Sequence, residues 1–511
     1  TSSLPYDADG DQLPFMITSA CGFIFAAANY SASAYTGLCT GAAHLITSFG
    51  SKELQDTYVD KMLKAEWQGT MALTEPEAGS SLSDITTMAE PTDNGHYLIK
   101  GQKIFISAGD HNATENVIHL MLAKIKGGPP GVKGISLFVV PKKRLAENGT
   151  LVPNDVVTSG VYHKLGYRGC PIVQLSIGDK NDCHGWLVGE AHNGLRYMFQ
   201  MMNEARIGVG LGAVSMSTAA YYSSLDYSKT RLQGRKIGQK DPKLPQISLI
   251  EHADIKRMLL FQKAINEGSL ALLFQCAKYI DLQTVLTDKK EKEDNHLLLE
   301  LLIPIAKTYP SEMGIQSISQ GLQCFGGSGF CDDYPLEQYY RDARIHPIHE
   351  GTTAIQGMDL LGRKVVMNDG KAFLLFQKEL NTTISAAKKH PALEVHARKL
   401  ENSLATLLEV TGHLLKIAGE KGPEIFLADA TLYLELFGII TISWQWLLQG
   451  IKAIEAMEGG VSKADESFYK GKLFTLRFFF GYELPKIEGL ANRLMDSDYL
   501  TVEMETGFFS D

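Results

Sequence analysis

The feature that most constrains this 511-residue chain is a change of hydrophobic period near Gly189. Ahead of it, from about residue 67, short runs rich in β-branched residues alternate with Gly, Pro and Asn punctuation, the pattern of strands joined by turns. Beyond it, small and apolar residues recur at helical spacing across 199–231, 248–280 and 297–323. One element cannot satisfy both periods, so a β module and helical modules must follow one another along the chain. The length is enough for several domains, each with its own core.

Within the β module, Asn94-Gly95 is the strongest turn signal, because both positions must tolerate positive φ. It predicts a hairpin joining 85–90 to 97–106. Further strands are expected over 117–123, 134–140 and 173–177, in an antiparallel arrangement. Alternation puts Phe105 and Ser107 on one face of a strand. Before the module, Ser51 can cap a helix over 52–63, with Glu53 in its first turn near the positive end of the dipole. In the last part of the chain, Leu400, Leu404, Leu407, Leu408, Leu414 and Leu415 predict one apolar stripe, and Gly422-Pro423 and Gly459-Gly460 predict breaks between helices. The expected fold class is therefore α+β.

The bulk numbers exclude some functions. A formal net charge of −9 argues against a nucleic-acid binder, which carries a basic face. Seven cysteines without paired spacing form no disulfide framework and fit a reducing compartment. No run of about 18 uninterrupted apolar residues occurs, so no membrane span is expected. The closest stretch, 434–448, is broken by Glu435, Thr441, Ser443 and Gln445 and reads as a buried helix. The chain starts at Thr1 rather than Met, so a segment upstream is expected; a targeting peptide stays open, and the expected location is cytoplasmic.

Three segments carry chemistry. The first runs Tyr340-Arg341-Asp342-Ala343-Arg344-Ile345-His346-Pro347-Ile348-His349-Glu350-Gly351-Thr352-Thr353; the second is Gln323-Cys324-Phe325-Gly326-Gly327-Ser328-Gly329; the third is Thr74-Glu75-Pro76-Glu77-Ala78-Gly79-Ser80. Together, and in the order third, second, first along the chain, they resemble the acyl-CoA dehydrogenases over about residues 20–362. The tail resembles the extension of the larger members of that family, including the 3-methylmercaptopropionyl-CoA dehydrogenases. The resemblance implies an N-terminal helical domain (1–66), a middle β-sandwich or barrel (67–188), a C-terminal four-helix bundle holding FAD and acyl-CoA (189–362), and an appended helical domain (363–511).

It also implies a chemistry: FAD-dependent α,β-dehydrogenation of an acyl-CoA to the trans-2-enoyl-CoA, as in fatty acid β-oxidation. Glu350 would take the C2 proton, and the C3 hydride would pass to the flavin. The Glu350 and Gly351 backbone would help hold the thioester. Thr74, Ser80, Phe105 and Ser107 would contact the flavin, with Ser80 also near substrate. Arg231 would pair with the pyrophosphate, and Thr352 would lie near the adenosine part. Gln323, Gly326 and Gly327 would reach the FAD of a neighbouring subunit, which implies a homodimer or higher homo-oligomer. Asn203 and Arg206 would face the substrate; relatives commonly carry Asp at the position of Asn203, and usually Trp at that of Phe105. The implied electron acceptor is an electron-transfer flavoprotein. An acyl-CoA oxidase and a flavin-bearing DNA-binding scaffold stay open as alternatives, although no dense Lys/Arg run occurs in 371–511.

Simpler readings compete at several positions. Glu350 could be a first-turn helix glutamate, Arg206 a surface ion-pair partner, and Phe105 an aromatic on a strand's core face. Some relatives place the base at the position of Ala205; Glu204 is one residue, about 100°, away and reads as structural. Gly208-x-Gly210-x-x-Ala213 matches a dinucleotide fingerprint, but no strand precedes it, so its small residues read as helix-packing positions. His346 and His349 lack Cys or carboxylate partners at zinc spacing, so no metal is expected.

Overall fold

The computed structural model describes residue 6 and residues 10–239 and 241–510; the side chains of Gln200 and Met201 are outside the described set. The chain divides into two compact units, Thr1–Ala205 and Arg206–Asp511.

The first unit opens with helices α1 (Phe15–Ala28) and α2 (Tyr30–Phe49), then the short α3 (Lys52–Leu54) and α4 (Asp60–Leu63). A π turn, Gln55–Val59, joins α3 to α4, so the helix predicted over 52–63 is continuous but underwound out of α geometry in its middle. The Ser51 hydroxyl caps it by accepting from the Leu54 N–H. Ten strands follow: β1 (Trp67–Ala72), β2 (Met88–Pro91), β3 (Tyr97–Ser107), β4 (Asn116–Ile125), β5 (Ile135–Pro141), β6 (Lys143–Leu145), β7 (Leu151–Pro153), β8 (Val156–Val161), β9 (Ile172–Ile177) and β10 (His184–Leu187). Gly95 takes the predicted positive φ (77°) between β2 and β3.

The sheet corrects the antiparallel expectation. Most pairs are antiparallel, but β1 and β2 both run parallel to β4. The hairpin signal reports only sequential neighbours; the long-range parallel pairings leave no turn signature. Because β2 also pairs with β3, strands β4, β5, β10, β3 and β2 close into a ring, while β9 and β8 extend from the far half of β3. Strand β2 starts at Met88 instead of 85, since Leu82–Asp84 forms a 3-10 turn and Ile85 is buried beyond it. Leu45 and Ile46 of α2 pack with Trp67, Ile118, Leu120, Leu137 and Val139 in one core.

Helix α5 (Gly194–Thr230) leads into the second unit, followed by α6 (Ala253–Val285), α7 (Lys289–Phe325), α8 (Leu336–Ala343) and α9 (Thr353–Asp359). Helix α7 begins earlier than its apolar pattern, because Asp288 caps a charged first turn at Glu291 N. It also contains Pro304 and Pro310. Pro310 has no N–H to give to the Ala306 carbonyl. Helix α5 packs closely against that carbonyl, for a Cβ on Gly210 would stand 2.1 Å from Ala306 O. Gly210 is thus a packing glycine in mid-helix, whereas Gly208 faces open space.

The remaining helices are α10 (Lys371–Ala387), α11 (Glu394–Lys421), α12 (Pro423–Leu427), α13 (Ala430–Glu458), α14 (Lys463–Phe478), α15 (Ile487–Leu494) and α16 (Leu500–Glu503). The predicted stripe on α11 is narrower than expected: Leu400, Leu404, Leu407 and Leu414 are buried, but Leu408 and Leu415 are 39% and 37% exposed. Each lies one residue, about 100°, past a core leucine. Helix α13, the one described helix long and apolar enough to cross a bilayer, has 78% of its apolar window buried inside the protein. It packs on α6, α7 and α9. Trp446 donates its indole N–H to Ala264 O, and a Cβ on Gly357 of α9 would stand 2.7 Å from Ala430 O.

Candidate active site around Glu350

Between α8 and α9 the chain makes a tight turn. Glu350 sits at φ 54° and Gly351 at φ 91°. A left-handed backbone is uncommon for a non-glycine residue and marks a place the surrounding structure holds in position. The holding groups are visible. Lys307 of α7, with no exposed surface, donates from Nζ to Gly351 O at 2.7 Å. The buried Gln356 amide donates to Glu350 O at 3.1 Å. Thr353 Oγ1 donates to Glu312 on α7. Thr352 caps α9 by accepting from Ile355 N at 3.4 Å. Glu350 therefore precedes the helix cap and is not a first-turn residue.

The Glu350 carboxylate is left out of this bonding. Among the described residues nothing lies within hydrogen-bond distance of it, and its N–H and that of Gly351 donate to no protein acceptor. The side chain keeps some accessible surface, but it stands in a recess as densely walled as an interior. That desolvation raises its pKa above the ordinary glutamate range, against the pull of Arg206 and Lys307. Burial likewise lowers Lys307 to about 8, offset by Glu350 and Glu312. His346 Nδ1 and His349 Nε2 lie 3.1 Å apart, and burial lowers both pKa values, His349 to about 3, so both rings are neutral.

Arg206 is buried, which overturns the surface ion-pair reading. Its Nη1 is 3.6 Å from Asp359 Oδ2, and Nε and Nη1 have no hydrogen-bond partner among the described residues. Asp359 also accepts from Arg363 Nε at 2.6 Å. Asn203 lies on α5 one turn before Arg206, in the part of the helix that belongs to the first unit. Glu204 pairs with His44 at 3.5 Å, a structural role as expected.

Elsewhere in the second unit, Gln323, Gly326 and Gly327 are exposed where α7 ends, with Gly326 at φ 60°. Tyr227, one turn before the exposed Arg231, stacks on Phe325 with centroids 4.1 Å apart. The end of α5 and the glycine loop are thus held together.

In the first unit, Thr74 O accepts from Ile104 N at 2.9 Å, so the Thr74–Ser80 segment is tied to β3. Ser80 is exposed. A register shift between Lys103 and Ile106 turns Phe105 (φ 57°) outward, where it is 57% exposed and stacks on Tyr162 at 4.6 Å. The core-face reading of Phe105 is therefore wrong: the bulge inserts a residue and reverses the inward parity carried by Lys103. Phe105 and Ser107 do share the non-core side.

Sequence reasoning missed the residues that hold these features, namely Lys307, Gln356, Glu312 and Asp359 in the helical unit and the Glu75–Lys103 pair in the β unit. One signal was available: Lys307 is the only charge between Leu301 and Ser311, in a run too apolar to be a solvated face.

Comparison with known proteins identifies the family and the fold. Three family descriptions match: the middle domain of acyl-CoA dehydrogenase over residues 70–179, the C-terminal domain of acyl-CoA dehydrogenase over 192–365, and an acetyl-CoA dehydrogenase C-terminal-like domain over 376–505. The chain is 36% identical over 475 residues to a butyryl-CoA dehydrogenase of Syntrophomonas wolfei, covering 91% of this chain and 77% of that one. It is 36% identical over 499 residues to a 3-methylmercaptopropionyl-CoA dehydrogenase of Ruegeria pomeroyi, covering 97% and 83%. Its fold is similar to that of an acyl-CoA dehydrogenase complexed with FAD from Bacillus anthracis (TM-score 0.78, 21% identity, 98% and 81% covered). The chain belongs to the acyl-CoA dehydrogenase family of oxidoreductases.

Proposed function

We propose that this chain catalyses FAD-dependent α,β-dehydrogenation of an acyl-CoA, with Glu350 as the base that removes the C2 proton. The observation that carries the reading is the unpaired, desolvated Glu350 carboxylate on a left-handed turn. As the C2–H bond breaks, the proton goes to the carboxylate, which becomes a neutral acid. The electron pair left behind spreads onto the thioester carbonyl. A carboxylate whose burial disfavours the charged form gains by accepting that proton. The free N–H groups of Glu350 and Gly351 are suited to the thioester oxygen, an oxyanion-type contact that is strong where water is excluded. When bound, FAD supplies the acceptor for the hydrogen and electron pair lost from carbon 3.

Residues suited to FAD are present. Gly326 has the positive φ, and Gly327 the open space, that let backbone amides approach a pyrophosphate. Arg231 offers an exposed guanidinium. Phe105 offers an uncovered aromatic face beside Ser107, and Thr74 and Ser80 lie on the loop tied to the same strand. Phe330, 96% exposed beside the glycine loop, supports a second copy covering that loop, with Gln323 acting across the interface. The proposal includes an electron-transfer flavoprotein as acceptor, a cytoplasmic place in β-oxidation, and Thr352, Asn203 and Arg206 as ligand-side contacts.

The test is anaerobic mixing of the FAD-loaded protein with short, medium, long, branched and thioether acyl-CoAs. Bleaching of the flavin by at least one class is expected, and no bleaching by any of them would overturn the reading.

A further inference from the structure

Lys307 has a place in this site that the reaction as outlined leaves unexplained. It lies between the two prolines of α7, with no exposed surface, among Leu301, Leu302, Ile303, Ile305 and Ala306. A buried ammonium is costly unless it is paired and hydrogen-bonded. Yet its hydrogen bond is to a neutral acceptor, the carbonyl of Gly351. The residue before that glycine is Glu350, and the two share the left-handed turn. The lysine neighbours a carboxylate without forming a salt bridge to it.

We propose that Lys307 is a positioning residue for proton abstraction: from α7 it clamps the Gly351 carbonyl, so fixing the turn that presents Glu350, and it sets a positive charge beside the carboxylate while leaving the carboxylate oxygens free.

Two consequences follow. A direct Lys–Glu bond would occupy the lone pair that must take the proton; the detour through Gly351 O keeps it available. The nearby charge also offsets part of the burial penalty and holds a fraction of Glu350 ionised. The groups that face the pair are Arg206 from α5 (itself offset by Asp359), Glu312 from the same helix as Lys307, and the neutral His346 and His349 of the turn. Of these, only Arg206 and Lys307 lower the Glu350 pKa.

The inference rests on the function proposed above, and the experiment separates the two. The variants are Lys307→Met, which removes the charge and the donor, and Lys307→Arg, which keeps both. Three quantities are read on the FAD-loaded protein: the rate of flavin reduction by acyl-CoA against pH, the FAD and acyl-CoA affinities, and the infrared titration of the Glu350 carboxyl, identified as the band missing from Glu350→Gln. For Lys307→Met the expectation is at least a tenfold slower reduction near neutral pH, affinities within about twofold of wild type, and a Glu350 titration moved upward by about one unit. Lys307→Arg should restore most of the rate and the titration. If Lys307→Met does not accumulate folded, Lys307→Gln carries the same charge test. Unchanged rate and titration in the neutral variant would overturn the role of Lys307, whereas a wild-type protein that no acyl-CoA bleaches would instead overturn the proposed function.

Discussion

Two lysines of this protein, Lys103 in the β unit and Lys307 in the helical unit, have no exposed surface, and burial lowers each to about 8. Each has a glutamate for a neighbour, and the two glutamates behave in opposite ways. Glu75 is saturated. Its Oε1 accepts from Lys103 Nζ at 2.7 Å, and its Oε2 accepts from Thr86 N at 2.6 Å and Thr86 Oγ1 at 2.8 Å. Burial pushes its pKa up, but Lys103 and the Thr86 and Thr87 donors outweigh that and bring it to about 2. Glu350 has the charge nearby and none of the bonds, and its pKa is raised. Both glutamates sit next to a buried ammonium; what separates a structural carboxylate from a basic one here is whether its lone pairs are taken.

Four predictions press on this contrast. Lys103→Met strands a buried carboxylate, and its cost to stability should be about 3–5 kcal/mol, read from thermal or denaturant unfolding. Loss of the tie between β3 and the Thr74–Ser80 loop should also weaken FAD retention. Next, flavin reduction should show a bell-shaped pH dependence. Glu350 must be ionised, so the rate rises with pH through its raised value. Lys307 must be protonated, so the rate falls as pH passes about 8. A profile with no alkaline limb would remove Lys307 from the comparison. Third, Thr86→Val removes one hydroxyl donor to Glu75 and keeps the amide, for a loss of about 1–2 kcal/mol by the same unfolding assay.

The smallest effect concerns the stability of Glu350→Gln. With no bond to lose and a desolvated charge removed, this variant should be as stable as wild type or more stable by up to about 1 kcal/mol, as expected where function is held at the expense of stability. The signs of the pH dependence also differ. The Glu75 contribution is full above the ordinary glutamate range and is lost as pH falls toward 2. Glu350, with its folded value raised, becomes less favourable as pH rises from the ordinary range through that value, then levels off.

How far these features were legible in the sequence depends on the range of the interactions. The hairpin at Gly95, the Ser51 cap, the Gly422 break and the buried character of 434–448 are set by near neighbours, and periodicity and turn chemistry carry them. The parallel pairings of β4 and the bulge at Phe105 are set by strands far along the chain, and nothing local announces them. The Glu350, Gly326 and Thr74 segments stood out through family resemblance, yet the groups that position them did not. Lys307 is 44 residues from the carbonyl it holds, and Lys103 is 28 from Glu75. A charged residue inside an apolar run was a visible flag in the case of Lys307; Lys103, in a strand with alternating polar residues, gave none.

The most direct test isolates proton transfer from the redox step. An acyl-CoA with sulfur in place of carbon 3 can lose the C2 proton but has no hydrogen to give up next to it. Incubated in deuterium oxide with the FAD-loaded protein, it should gain deuterium at C2 with wild type and none above the solution rate with Glu350→Gln. Exchange at the wild-type rate in Glu350→Gln would contradict the assignment of the base.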